Sequence, residues 1–156
     1  MYRIVIISDT HRHIDYVVRL LDNIREFDMI VHLGDHSSDA KKIAEMYPLA
    51  KVLAVQGNND LPSLFAPKEI ICDIENIRFF ITHGHNYGVK YGYERICYRA
   101  KEESARVLLF GHTHVPLCER EEDLLILNPG GYNSAGPSVG IVEIENGRAK
   151  GCLYPC

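Results

Sequence analysis

Five short polar motifs in this sequence consist of residues that bind metal ions or move protons: Asp9-x-His11, Gly34-Asp35, Gly57-Asn58-Asn59-Asp60, Thr82-His83-Gly84-His85 and Gly111-His112-Thr113-His114. Carboxylate, amide and imidazole donors mixed in one set suit divalent ions of intermediate softness: Mn²⁺, Fe²⁺, Co²⁺, Ni²⁺ or Zn²⁺. No thiolate lies in these segments, which disfavours a closed structural zinc cage. Each motif taken alone reads better as a turn or a packed polar pair; Gly-Asn-Asn-Asp, for one, is a good turn sequence. Their common position in the chain, at successive strand ends, favours the metal reading.

Residues 3–8 form a short apolar run ending in a polar turn, the mark of a buried strand. Ile14, Val17, Val18, Leu21 and Ile24 follow at helical spacing. Residues 29–33 read as a second buried strand, 40–46 as a short helix and 52–55 as a third strand. That alternation predicts parallel βαβ units with right-handed crossovers. Ile70, Cys72 and Ile74 then alternate, Glu75-Asn76 turns, and Ile77, Phe79 and Ile81 alternate again, which predicts a hairpin. A helix over 93–104 and a buried strand at 107–110 come next. Strands at 117–120 and 124–127 follow, and a last pair turns at Asn146-Gly147. The fold class is α/β, two partly parallel sheets with helices outside. Every motif falls at or just past a strand end, where ligands of α/β sheets bind. The glycines let backbone crowd against that edge without a Cβ penalty.

The 156 residues suit a single domain over 1–156, and 46% hydrophobic with 24% charged residues can fill its core. A formal net charge of -4 argues against a protein that grips long nucleic acid by its phosphates. A small phosphorylated substrate stays open, because a metal ion sets the local field. The five cysteines form no CxxC pair, which points to reduced thiols in a cytoplasm, although Cys152 and Cys156 stand close enough in sequence to pair or to bind metal. The apolar run at 4–7 is too short for a signal peptide or a spanning helix, so no membrane role is expected. Self-association is left open.

The order D-x-H, G-D, G-N-x-D, T-H-G-H, G-H-T-H resembles the calcineurin-like metallophosphoesterase superfamily, in particular its small single-domain phosphodiesterase branch. The resemblance runs from Ile4 to the last strands and takes in Asn128-Pro129-Gly130. It implies a four-layer α/β/β/α sandwich with two mixed β-sheets. Asp9, His11 and His114 would hold a first divalent ion, Asn58, His83 and His112 a second, and Asp35 would bridge both. A hydroxide between the ions would attack phosphorus in line. Mn²⁺ or Ni²⁺ is favoured, with Fe²⁺, Co²⁺, Zn²⁺ and Mg²⁺ admitted. Two positions depart from the family pattern. Many members carry a His directly after the motif Asn, where this chain has Asn59. Many also carry an acid three positions after the bridging Asp; here Ser38 stands there with Asp39 next, and neither is assigned that role.

Four positive charges from two ions, less those of Asp9, Asp35 and one hydroxide, leave a site near +1 that attracts a phosphodiester monoanion. Arg12 and Lys90 are the basic side chains inside or just after these loops. A monoester dianion usually draws an Arg fork, so a small diester or nucleotide-like substrate is favoured. Asn59 is read as a donor to a non-bridging phosphate oxygen, and His85 as the candidate substitute acid. His13, His32 and His36 are read as non-ligands, and Tyr87 and Tyr91 as packing residues or, less often, a stacking surface for a base. The rival reading is a non-catalytic metal-binding scaffold of the same fold, and the seven filled ligand positions argue against it.

Overall fold

The computed structural model describes residues 1–136 and 139–154. Strands β1 (Tyr2–Ile7), β2 (Met29–His32) and β3 (Lys51–Ala54) run parallel. Two later strands, β9 (Val139–Glu145) and β10 (Arg148–Tyr154), extend that sheet antiparallel beside β1, in the order β10-β9-β1-β2-β3. The second sheet has the order β4-β5-β6-β8-β7, from β4 (Glu69–Ile74), β5 (Ile77–Thr82), β6 (Val107–Leu109), β7 (Leu117–Glu121) and β8 (Leu124–Asn128). There β5, β6 and β8 are parallel and the outer strands antiparallel.

Side-chain alternation along each central strand creates the layers. Ile4, Ile6, Met29 and Val31 face Phe79, Ile81, Leu109 and Leu127 between the sheets. Their neighbours Val5, Ile7 and Ile30 face outward onto Leu21 of α1 (Ile14–Asn23) and Ile43 of α2 (Ser37–Met46). Phe80, Leu108 and Phe110 likewise meet Ile96 and Ala100 of α3 (Glu94–Glu102). Central strands covered on both faces read as unbroken apolar runs for this reason. Each such side chain taken from water contributes about 1.5–3 kcal/mol. The result is the expected α/β/β/α sandwich.

Both expected hairpin turns have consecutive residues at positive φ, Glu75 (49°) with Asn76 (62°) and Asn146 (51°) with Gly147 (71°), as two-residue turns require. Helix α2 begins three residues before the expected start. Asp60, from the loop after β3, accepts the Ser37 amide at 2.9 Å, an N-terminal cap supplied from outside the helix. Cys72, Cys97 and Cys118 are free thiols. Cys152 is disulfide-bonded, which corrects the expectation of reduced thiols throughout; Cys156 lies outside the described residues. No described helix is long and apolar enough to cross a membrane.

Candidate metal centre

The carboxyl ends of the two sets of parallel strands meet at one edge. The Asp9 amide donates to Gly34 O at 3.0 Å and the Gly111 amide to His83 O at 3.0 Å, each tying two motifs together. His83 Nδ1 reaches Leu33 O at 2.7 Å and so crosses from one sheet to the other. The backbone there is unusual. Asp9, His11, Asp35, His112 and His114 all sit at positive φ, between 45° and 67°. A non-glycine residue in that region is uncommon and costs about 1–3 kcal/mol, and clusters of such residues mark functional sites.

Two glycines leave space rather than conformational freedom. A Cβ on Gly57 would collide with the Asp35 carboxylate and backbone, and one on Gly111 with Ser8 Oγ and Asp9. Gly57→Ala is therefore expected to displace Asp35 and to destabilise the protein by about 1–3 kcal/mol, the usual cost of overpacking. Thermal unfolding of the variant measures it, and an unchanged melting temperature would contradict the packing at this strand end.

The candidate side chains form two groups that share Asp35. In the first, ligand atoms of Asp9, His11, Asp35 and His114 all lie within 4.8 Å of one another. Asp9 Oδ1 stands 3.1 Å from His114 Nε2, yet it has no aligned hydrogen-bond partner, and neither does the buried His11 Nε2. In the second, His83 Nε2 lies 3.1 Å from Asn58 Oδ1, 3.1 Å from His112 Nδ1 and 3.5 Å from Asp35 Oδ1. Buried polar atoms are normally paired, so the unpaired Asp9 Oδ1 and His11 Nε2 of the first group fit an ion. Carboxylate, amide and imidazole donors match a divalent one.

The charges agree with that fit. Burial pushes the Asp9 carboxyl up, but His114, His83 and Ser8 together outweigh it and hold the pKa below the ordinary value. Burial, then the charges of His83 and Lys90, lower His112 to about 4, which keeps its ring neutral and its lone pair free for a cation. The Asp9 carboxylate beside it raises the pKa of His114, and burial with the charge of His83 lowers that of His85.

Asn59 is placed differently from its expected role. Its backbone and side-chain amides donate to Asp35, at 3.1 and 2.9 Å, so the donor expected for a phosphate oxygen is engaged by a carboxylate. His85 opens a short 3-10 turn (His85–Tyr87); its ring centroid is 5.4 Å from that of His83, and its Nδ1 is buried without a partner. His32 is fully buried behind the site, between Thr10 Oγ1 at 3.0 Å and the Gly34 amide at 3.2 Å. His13 stacks on Tyr132 at 3.5 Å, and the His36 ring lies 5.1 Å from that of His11 at the rim. Tyr87 packs edge-on against Phe80 and donates to Glu69, while Tyr91 is 97% exposed.

Two positioning roles escaped the sequence reading. Asp39 is fully buried and accepts from Thr10 Oγ1 at 2.6 Å and the Arg12 amide at 2.9 Å, which fixes the loop that carries His11. Its one-residue offset from the family position hid it. Asn133 Oδ1 lies 2.6 Å from His114 Nδ1, and no motif marks it.

The comparisons with known proteins follow the same lines. A family model described as the calcineurin-like phosphoesterase superfamily domain matches residues 2–147. A phosphodiesterase of Methanocaldococcus jannaschii is 32% identical over 162 residues, covering 92% of this chain and 93% of that one. A second protein of that organism, named a probable metallophosphoesterase, is 35% identical over 128 residues; the match covers 80% of this chain but 65% of the relative. Among solved structures, an archaeal phosphodiesterase superposes with a TM-score of 0.73 at 25% identity, over 97% of this chain and 99% of that one. Vps29 from Entamoeba histolytica, in complex with Zn²⁺, gives 0.74 at 18% identity over 96% of each chain, a likeness of fold alone.

Proposed function

The chain belongs to the calcineurin-like phosphoesterase superfamily, and from that premise we propose that it is a divalent-metal-dependent phosphodiesterase with a binuclear centre on one domain spanning residues 1–156. Asp9, His11 and His114 would hold one ion, Asn58, His83 and His112 the other, and Asp35 both. The observation that carries this reading is the pair of buried ligand atoms without hydrogen-bond partners, Asp9 Oδ1 and His11 Nε2, in a group whose four ligand atoms lie within 4.8 Å.

Bound there, two divalent ions supply Lewis-acid stabilisation of phosphate charge and water acidic enough to ionise near neutral pH. The protein's own part is positional. Leu33 O fixes His83 through Nδ1, which leaves Nε2 turned toward Asn58 and His112. Asn59 holds the proposed bridging carboxylate by two bonds, and the second hydrogen of its side-chain amide would remain for a phosphate oxygen. Among the described residues no Arg side chain is hydrogen-bonded or ion-paired to a candidate ligand, which favours a small, singly charged diester over a monoester dianion. The working compartment is read as the cytoplasm.

A non-catalytic scaffold of this fold is the alternative, and the test separates the two. Chelator-treated protein is expected to lose hydrolysis of a bis-aryl phosphodiester and to recover it best with Mn²⁺ or Ni²⁺. A metal at 100 times its dissociation constant should also stabilise the fold by about 2.7 kcal/mol. Metal-dependent stabilisation without turnover would support the scaffold; equal activity and melting temperature with and without metal would remove the centre altogether.

A further inference from the structure

We propose that Asn133 is a positioning residue for His114, and that through it the loop 130–134 sets the affinity of the ion site formed by Asp9, His11 and His114; the inference rests on the metal reading above. An imidazole ligand needs its second nitrogen held, because that bond fixes both the tautomer and the direction of the coordinating lone pair. His114 Nδ1 donates to Asn133 Oδ1 at 2.6 Å, and Nε2 then faces Asp9, 3.1 Å away. The matching bond of His83 runs to a backbone carbonyl, Leu33 O, in the core between the sheets. One half of the centre is thus held by the fold itself and the other by a side chain on a surface loop.

The loop is tied to that half by other contacts. The Tyr132 amide donates to Asp9 O at 3.2 Å. Ser134 Oγ donates to His114 O at 2.7 Å and accepts the Gly131 amide at 2.6 Å. Gly131 lies so close that a Cβ there would stand 2.9 Å from Asp9 Cβ. The bonds the loop makes to candidate ligands go to Asp9 and His114. Asn133 is itself exposed, so its hydrogen bond adds little to global stability and its removal can be read cleanly at the metal.

The test is calorimetric titration of chelator-stripped protein with Mn²⁺ for wild type, Asn133→Ala and Asn133→Asp, with melting curves of the stripped proteins alongside. Wild type should take up two ions. In Asn133→Ala one binding event should weaken about 10–100-fold, the usual loss when an outer partner of a ligand is removed, with the other unchanged. Asn133→Asp keeps the acceptor and should bind at least as tightly as wild type. Two unchanged events in Asn133→Ala, two equally weakened ones, no rescue by Asp, or a lowered melting temperature of stripped Asn133→Ala would each overturn the assignment. Wild type that binds fewer than two ions would instead overturn the binuclear reading beneath it.

Discussion

Asp35→Ala is expected to empty both ion sites at once, whereas Asp9→Ala empties mainly one. The reason is geometric. Asp35 belongs to the group with Asp9, His11 and His114, within 4.8 Å, and its Oδ1 also lies 3.5 Å from His83 Nε2 in the second group. Asp9 Oδ1 is nearest to His114 and stands farther from His83, 3.1 against 3.9 Å. In the proposed centre, loss of the shared carboxylate would remove one ligand from each ion and the charge between them. Hydrolysis should fall to the level of chelated protein, and elemental analysis should find little metal. Near-complete occupancy in Asp35→Ala would sink the bridging assignment. His13→Ala is the control, because the His13 ring is stacked on Tyr132 outside both groups; it should keep both ions.

The convergence of the candidate ligands was legible in the sequence, because parallel strands carry their carboxyl ends to one edge and motifs placed after successive strands meet there. The apolar runs that became β1, β2 and β6, and the turns at Glu75-Asn76 and Asn146-Gly147, are local signals. What remained hidden depends on contacts between distant segments. The early start of α2 depends on Asp60, 23 residues away, as its cap. Asp39 works through Thr10 and the Arg12 amide, and no local pattern announces such a partner. Asn133 sits in a loop with no period, and the pairing of Leu117 with Asn128 across β7 and β8 brings that loop beside His114. Asn59 is a different case. Its motif was recognised, but the direction of its side chain follows from Asp35, on the neighbouring strand's loop.

The rate of hydrolysis is expected to fall steeply as the leaving-group pKa rises, and less steeply in Asn59→His. Directly after the motif Asn this chain presents an amide bound to Asp35 Oδ2 at 2.9 Å, and an amide cannot deliver a proton to a departing oxygen. General acids typically contribute about 10²–10⁴-fold, and most for poor leaving groups. An aryl oxide leaves without a proton, whereas an alkyl or sugar oxide does not. A series of diesters spanning aryl to alkyl leaving groups should therefore separate wild type from Asn59→His most widely at the alkyl end. Residue 59 is exposed, so the larger imidazole has room. His85 is the competing source of the proton: its ring centroid lies 5.4 Å from that of His83 and 6.0 Å from that of His112, and its Nδ1 is buried without a partner. If His85 were the acid, the wild-type rate would be nearly independent of leaving-group pKa and would turn steep in His85→Ala. That outcome would show that the amide at position 59 has cost this enzyme nothing. A slope already steep in wild type and unchanged in His85→Ala would establish that the chain works without a protein acid and is suited to diesters with good leaving groups.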